Sequence, residues 1–238
     1  VAIFNYCDKL AYIKSDDDKT CIEDKAWGFL SMPRHYWPND FISYRGRISV
    51  VDRWSKVVSV DIWGVVDDDD NNSSSPPSSG VVKVVSPRMS YSNSSHSTYL
   101  VESSAGDLLL VEMFLRPEHG SPPSFKIFKL QFSSSGEEAK RVELKSLGDD
   151  TLFLCKTCSM AVSDFPECRP NSIYFADYYY LAANYPSPYD LVIFTFDDGS
   201  FQRVRIIQHL SQQHKKVSPV WIFPTMGSYQ FCAYIWHE

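Results

Sequence analysis

The strongest hairpin signal in the chain lies in LVIFTFDDGSFQRVRII, residues 191–207. Apolar residues alternate or run together on both sides of Asp198-Gly199. An Asp-Gly pair between two alternating segments is a strong signal for a β-hairpin, because these residues accept the left-handed backbone of tight turns. The stretch therefore predicts two antiparallel strands, residues 191–196 and 201–207.

The same outline of strand, Gly or Asp turn and strand recurs along the chain. Short alternating or continuously apolar runs bounded by turn residues are typical of strands. The further predicted strands are residues 1–4, 10–14, 41–44, 48–51, 57–62, 98–102, 108–114, 125–132, 141–144, 151–154 and 172–175. Only residues 26–30 and 209–215 could form a helical turn or two, so the chain is predicted to be all-β.

The predicted strands group into about four similar antiparallel modules, which favours a kelch-like β-propeller of repeated blades. A β-sandwich is the alternative, although its strands need not repeat an outline. We expect one propeller domain over residues 1–238, interrupted by a disordered insertion at about 67–80. The insertion reads DDDDNNSSSPPSSG and contains no apolar residue that could order it. Its spacing lacks the Gly and Glu of an EF-hand calcium loop.

Composition narrows the possible partners. The 238 residues carry a net charge of −6 and show no stripe of Lys and Arg among aromatics, which argues against nucleic acid. No apolar run reaches the roughly 18 residues that span a bilayer, so no membrane partner is predicted. The chain begins at Val1 without Met, within a predicted strand, and is expected to be a fragment whose propeller is incomplete at the N-terminus.

No catalytic signature passes its spacing test, so the sequence predicts a non-enzyme with no catalytic residue, no metal and no cofactor. Cys155 and Cys158 have the Cys-x-x-Cys spacing, with Cys168, His209 and His214 downstream. We interpret the two cysteines as buried structural thiols, because the motif follows a strand in an all-β pattern. A zinc site and a redox pair remain alternatives, and a propeller that binds a small ligand or a metal is the alternative function.

Clustered tyrosines between two predicted strands are the candidate partner-binding residues. Tyrosine supplies a large rigid contact surface with a polar tip, and propeller loops commonly carry recognition. Packing within a long loop is the alternative interpretation. Trp27, Trp37 and Trp54 are expected to pack within blades. The candidate binding residues are Tyr178, Tyr179, Tyr180, Tyr185 and Tyr189.

Five segments resemble one plant family, the propeller domain of unknown function 295 that often follows an F-box and includes KIB-type kelch-like proteins. They occur in family order and span nearly the whole chain. The segments are NDFISYRGRISVV (39–51), YLVESSAGDLLLV (99–111), SLGDDTLFLCKTCSMAV (146–162), CRPNSIYFAD (168–177) and SPVWIFPT (218–225).

The resemblance implies a propeller that recruits substrates for an SCF-type ubiquitin ligase, with shaggy-like kinases as targets of some members. It implies a Skp-type adaptor as partner only if an F-box accompanies the propeller in the parent protein. The cytoplasm or nucleus is the expected compartment. Relatives that lack the F-box imply a mitochondrial or scaffold alternative. The resemblance supplies no catalytic residue, and Cys155 stands where relatives tend to have Gly.

Overall fold

The computed structural model describes residues 2–6, 9–13, 28–30, 32–61, 81–87, 97–114, 123–134, 138–155, 159–166, 168–176 and 190–205. These residues form strands and turns without a helix, as the sequence predicts. Within them, no helix is both long and apolar enough to cross a membrane. Four separate sheets account for all the described strands.

The first two sheets come from the N-terminal part of the chain. One has the order β1-β2-β3, and the other has the order β4-β5-β6-β7. Their strands are β1 (Ala2–Tyr6), β2 (Lys9–Ile13), β3 (Gly28–Leu30), β4 (Pro38–Tyr44), β5 (Arg47–Asp52), β6 (Val57–Asp61) and β7 (Val81–Ser86).

The other two sheets follow in the chain. The third sheet has the order β11-β10-β9-β8, and the fourth has the order β13-β12-β14-β15-β16. Their strands are β8 (Ser97–Glu102), β9 (Leu108–Phe114), β10 (Ser124–Phe132), β11 (Ala139–Leu144), β12 (Asp150–Leu154), β13 (Met160–Ser163), β14 (Ser172–Phe175), β15 (Asp190–Thr195) and β16 (Phe201–Arg205).

The β4–β7 sheet shows why these sequences form blades. Arg45 and Gly46 both have positive φ, which is the backbone of a type I′ turn between β4 and β5. Val50 and Val51 point to opposite faces of β5, yet both are fully buried. A sheet that buries both faces is typical of a propeller blade.

The fourth sheet departs from a simple meander. β12 pairs with β14 in parallel, with Leu152 opposite Ile173, while its other neighbour β13 is antiparallel. The chain therefore crosses from one edge to the middle of the sheet between β13 and β14. We expected only antiparallel pairing, and this one contact is the exception.

The chain divides into two compact units. The first comprises Val1–Ser94 and Phe132–Lys140, and the second comprises Ser95–Gln131 and Arg141–Glu238. The main core of the second unit joins residues from the third and fourth sheets, including Tyr99, Phe175 and Val192. In the first unit a smaller core surrounds Tyr36, Val50 and Val58. The assignment of a single domain over 1–238 stays a prediction.

Most predicted strands are confirmed, with a few differences. β3, β7 and β13 were not predicted as strands, and Gly28–Leu30 is a strand where a helical turn was considered possible. The insertion at 67–80 and the possible helical segment at 209–215 lie outside the described residues.

Candidate functional site

One face of the fourth sheet carries a row of side chains that is separate from the core. Tyr174 on β14 lies opposite Ile193 on β15, which in turn lies opposite Gln202 on β16. Their strand neighbours Ile173 and Val192 are fully buried in the core on the other face. Because side chains alternate along a strand, the row must point away from that core.

The row forms one wall of a pocket of about 410 Å³. The opposite wall comes from the connection between β13 and β14, which contributes Pro166, Cys168 and Arg169. This connection lies outside any strand, yet several hydrogen bonds tie it to the sheet. The pocket is therefore built from strand residues and a loop that the strands hold.

Arg169 is the residue that joins loop and sheet. Its backbone N–H donates to the hydroxyl of Tyr174 at 3.1 Å, and its carbonyl accepts from Thr151 Oγ1 at 2.8 Å. Its guanidinium Nη1 lies 3.4 Å from Thr195 Oγ1. The Arg169 side chain is exposed overall, so these contacts orient a cation at the rim of the pocket.

Asn171 fixes the end of the same loop. It has a φ of 52°, in the left-handed region that Asn tolerates better than most residues. Its side-chain amide donates to Asp197 Oδ1 at 2.5 Å, and its side-chain oxygen accepts the Leu147 N–H at 2.8 Å. A strained residue held by two long-range hydrogen bonds keeps the loop in one conformation.

The turn beside the pocket adds a negative charge. Hydrogen bonds from Ser200 hold the pKa of the Asp198 carboxyl below its usual value, and the positive charge of Arg169 acts in the same direction. The Ser200 backbone N–H lies 2.8 Å from Asp198 Oδ1. Asp198 therefore stays ionised, and both signs of charge flank the pocket.

The lining chemistry suits binding. The ring of Tyr174 stacks on that of Phe153, its partner on β12, with centroids 4.9 Å apart and planes at 29°, so the aromatic wall is supported from the side. Pro166 and Ile193 contribute apolar surface and Arg169 and Gln202 offer hydrogen-bond donors, so the lining is mixed. Such a pocket can hold an apolar side chain of a peptide beside a carboxylate or a main-chain carbonyl.

The Cys-x-x-Cys motif is described only in part. Cys155 follows β12 and is 1% exposed, the placement that the structural interpretation predicts. Cys155 and Cys168 are both thiols and not disulfide partners. Cys158, His209 and His214 lie outside the described residues. In the part of the chain that is described, no group of three His, Cys, Asp or Glu side chains could hold a metal ion.

The predicted tyrosine cluster lies outside the described residues, in the connection between β14 and β15 that follows the pocket wall in sequence. Its role stays a prediction, as does that of each member: Tyr178, Tyr179, Tyr180, Tyr185 and Tyr189. Trp27 is likewise outside the described residues. Trp37 is 49% exposed, so the expectation that it packs within a blade was wrong.

Sequence reasoning missed Tyr174 and Arg169 as site residues. The alternation in Ser172–Phe175 was a usable signal, because it puts Tyr174 on the opposite face from Ile173 and Phe175. No comparable signal existed for Arg169, since its position depends on tertiary hydrogen bonds of an irregular loop.

The fold defines an all-β, propeller-type protein with a pocket beside one of its sheets. The sequence profile of the KIB1-4 beta-propeller family matches residues 1–197. The chain belongs to that family.

One curated relative is an F-box protein from Arabidopsis thaliana, 34% identical over 87 residues. The match covers 36% of this chain and 18% of the relative's length. No solved structure matches the chain.

Proposed function

We propose that this chain is the protein-recognition part of a plant F-box protein, a kelch-like propeller that holds a substrate for an SCF-type ubiquitin ligase. The observation that carries the proposal is membership of the KIB1-4 beta-propeller family, together with the likeness to an F-box protein. The role is non-enzymatic, because the ligase chemistry belongs to other subunits. The cytoplasm or nucleus is the proposed compartment.

The pocket beside the fourth sheet supports recognition of a protein. Its apolar wall of Tyr174 and Ile193, with the donors Arg169 and Gln202 at the rim, resembles the buried anchor and polar border of protein interfaces. The tyrosines at 178–180, 185 and 189 follow in sequence and are further proposed contact residues. A shaggy-like kinase is a candidate target by resemblance.

The test is affinity purification of the intact parent protein from plant cells. We expect a Skp-type adaptor and a target protein to be recovered together. The variant Arg169→Glu, and separately alanine replacement of the five tyrosines, should lose the target while retaining the adaptor. Lys140→Glu, at an exposed position of β11, is the matched control and should retain both.

Three outcomes contradict the proposal. Recovery of neither partner from a folded sample would reject the recognition role. Recovery of a target without any adaptor would instead favour an F-box-free scaffold, and import into mitochondria would give that scaffold an organellar location. Equal target loss with Lys140→Glu would show that the pocket is not the contact surface.

A further inference from the structure

Two turns of the first unit bring basic and aromatic side chains together. Arg34-His35-Tyr36-Trp37 precedes β4, and Arg53-Trp54-Ser55-Lys56 connects β5 to β6. The Arg53 N–H donates to the Trp37 carbonyl at 3.2 Å. The Tyr36 hydroxyl lies 3.1 Å from the Lys56 carbonyl. We name the seven residues Arg34, His35, Tyr36, Trp37, Arg53, Trp54 and Lys56 the basic aromatic patch.

The patch has a rigid base. The Asp52 carboxylate is almost fully buried, and its Oδ1 accepts the N–H of Trp54 at 2.9 Å and of Lys56 at 2.7 Å. Ser55 has a φ of 65° and donates its N–H to the Asp52 carbonyl at 2.9 Å. His35, in the other turn, has a φ of 58°. Two such strained residues persist only where the surroundings hold them, so a ligand would meet a preorganised surface.

The exposed part of the patch is positive. Arg34, His35 and Arg53 are exposed, and Lys56 is half-buried. The Arg53 guanidinium lies 5.4 Å from the centroid of the Trp54 ring, and Lys56 Nζ lies 5.8 Å from that of Tyr36. These basic side chains lie together on a chain whose net charge is −6.

The aromatic members give the patch an apolar component. Trp37 is 49% exposed, a large apolar area for one side chain. Trp, Tyr and Arg are the residues most enriched among those that dominate the energy of protein interfaces. Asp52, at the start of the β5–β6 turn, is buried and accepts hydrogen bonds from backbone N–H groups, so its charge lies beneath the patch while Arg34, Arg53 and Lys56 outnumber it.

We propose that the basic aromatic patch binds an acidic segment of a partner protein, with carboxylates paired to Arg34, Arg53 and Lys56 and an apolar side chain against Trp37. We infer an acidic ligand because its negative charge is complementary to the basic side chains of the patch. A nucleic acid is disfavoured, because three cations neutralise few phosphates. The proposal does not rest on a ligase role, since the chain alone should bind.

The test measures fluorescence anisotropy of a labelled peptide of about twelve residues, rich in Glu and containing Leu and Phe, with the full 238-residue chain. We expect binding that weakens as NaCl is raised from 50 to 300 mM, since surface charges are screened by salt. The same peptide with Gln in place of Glu should bind at least about tenfold more weakly.

Charge reversal locates the contact. Arg53→Glu with Lys56→Glu should weaken binding at least about tenfold, and Trp37→Ala should weaken it about fivefold. The matched control is Arg45→Glu with Arg47→Glu, at the β4–β5 turn of the same sheet. There too a basic group lies over an aromatic ring, with the Arg45 guanidinium 5.0 Å from the centroid of the Tyr44 ring. This control should change affinity less than about twofold. If the reversed pair melts well below wild type, Arg53→Gln with Lys56→Gln replaces it.

Several outcomes would overturn the proposal. Equal affinity for the Glu and Gln peptides, or equal loss in the two double variants, would remove the charge argument. Tighter binding of a single-stranded oligonucleotide would assign the patch to nucleic acid. Peptide binding that emerges only after Asp67–Asp70 are changed to Asn would assign the patch to the chain's own acidic run. A failed pull-down of ligase subunits, by contrast, would leave these results unaffected.

Discussion

At the scale of single residues, Tyr36 shows how one buried polar group organises its surroundings. It is 2% exposed, and its hydroxyl lies 2.7 Å from the Val50 carbonyl, which fixes the chain before β4 to the neighbouring strand. Burial raises the pKa of the Tyr36 phenol well above its usual value, and the negative charge of Asp52 acts in the same direction. The phenol therefore stays neutral and remains a hydrogen-bond donor.

Tyr36→Phe should lower the free energy of unfolding by about 1–2 kcal/mol, because buried carbonyls lose their donor. It should also change the pH dependence. The pKa of this phenol is higher in the folded protein than in the unfolded chain, where it is near 10. Its contribution to the free energy of unfolding is therefore full below pH 10 and falls as the pH rises above that value. Between pH 10 and 11.5, the free energy of unfolding should fall more steeply for wild type than for the variant, by up to about 1.4 kcal/mol per pH unit.

Urea unfolding followed by circular dichroism at each pH measures both effects. The other tyrosines titrate in both proteins and cancel in the comparison. Parallel pH profiles for wild type and Tyr36→Phe would contradict the buried placement of the phenol.

Glu112 and Arg141 form a second buried polar feature. Arg141 Nη1 lies 3.5 Å from Glu112 Oε1, and their side chains are only 7% and 2% exposed. Glu112 Oε2 is buried and, among the described residues, has no hydrogen-bond partner. A buried carboxylate with one unsatisfied oxygen depends strongly on the cation that contacts its other oxygen.

Arg141→Met should therefore cost about 3–5 kcal/mol, because it leaves the Glu112 carboxylate buried and unpaired. The double variant Glu112→Leu with Arg141→Met should recover most of that loss, since it removes both charges. Lys145→Met, which breaks the exposed pair with Glu143, is the control and should cost less than about 1 kcal/mol. Chemical denaturation measures all three, and equal losses for Arg141→Met and the double variant would refute the argument.

At the scale of elements, local signals predicted the hairpins better than the sheets. Asp198-Gly199 and Arg45-Gly46 were both predicted as turns, and each connects a hairpin. The Asp198-Gly199 loop differs in detail, because Gly199 takes a positive φ of 63° and Asp198 does not, so it is not a type I′ turn. Turn residues act locally, which is why sequence alone locates them.

The parallel contact between β12 and β14 could not be predicted in the same way. Leu152 and Ile173 pair although β13 and the connection after it lie between them in sequence, and no turn residue predicts this pairing. β13 was missed because Met160–Ser163 is short and half-buried throughout. The pocket depends on the same non-local arrangement, since the loop carrying Arg169 occupies the crossover that parallel pairing requires.

Gly199→Ala tests the turn that the sequence pattern located. The residue has a φ of 63°, and an added Cβ would meet nothing within 4 Å, so the cost comes from backbone conformation and not from a clash. We expect a loss of about 1 kcal/mol for Ala, and about half of that for Asn, which tolerates left-handed backbone better. Thermal and urea unfolding measure the difference, and indistinguishable Ala and Asn variants would contradict the assigned conformation.

At the scale of the whole molecule, each compact unit has its own core, and the second unit joins two sheets through aromatic residues. Phe175 on β14 is fully buried, with its ring centroid 6.1 Å from that of Tyr99 and 5.9 Å from that of Phe125. Its strand neighbour Tyr174 points to the opposite face and lines the pocket. One short strand therefore contributes to the core with one face and to the pocket with the other.

Adjacent variants separate these two roles. Phe175→Ala should cost about 3–5 kcal/mol, because it removes a ring at the junction of the two sheets and leaves a cavity. Phe175→Leu should cost less, since it keeps most of the volume. Tyr174→Ala should cost about 1–2 kcal/mol by losing its stacking on Phe153, and should abolish target capture without unfolding the protein. Urea midpoints and near-ultraviolet circular dichroism measure stability and packing, and a larger loss for Tyr174→Ala than for Phe175→Ala would reverse the assignment of the two faces.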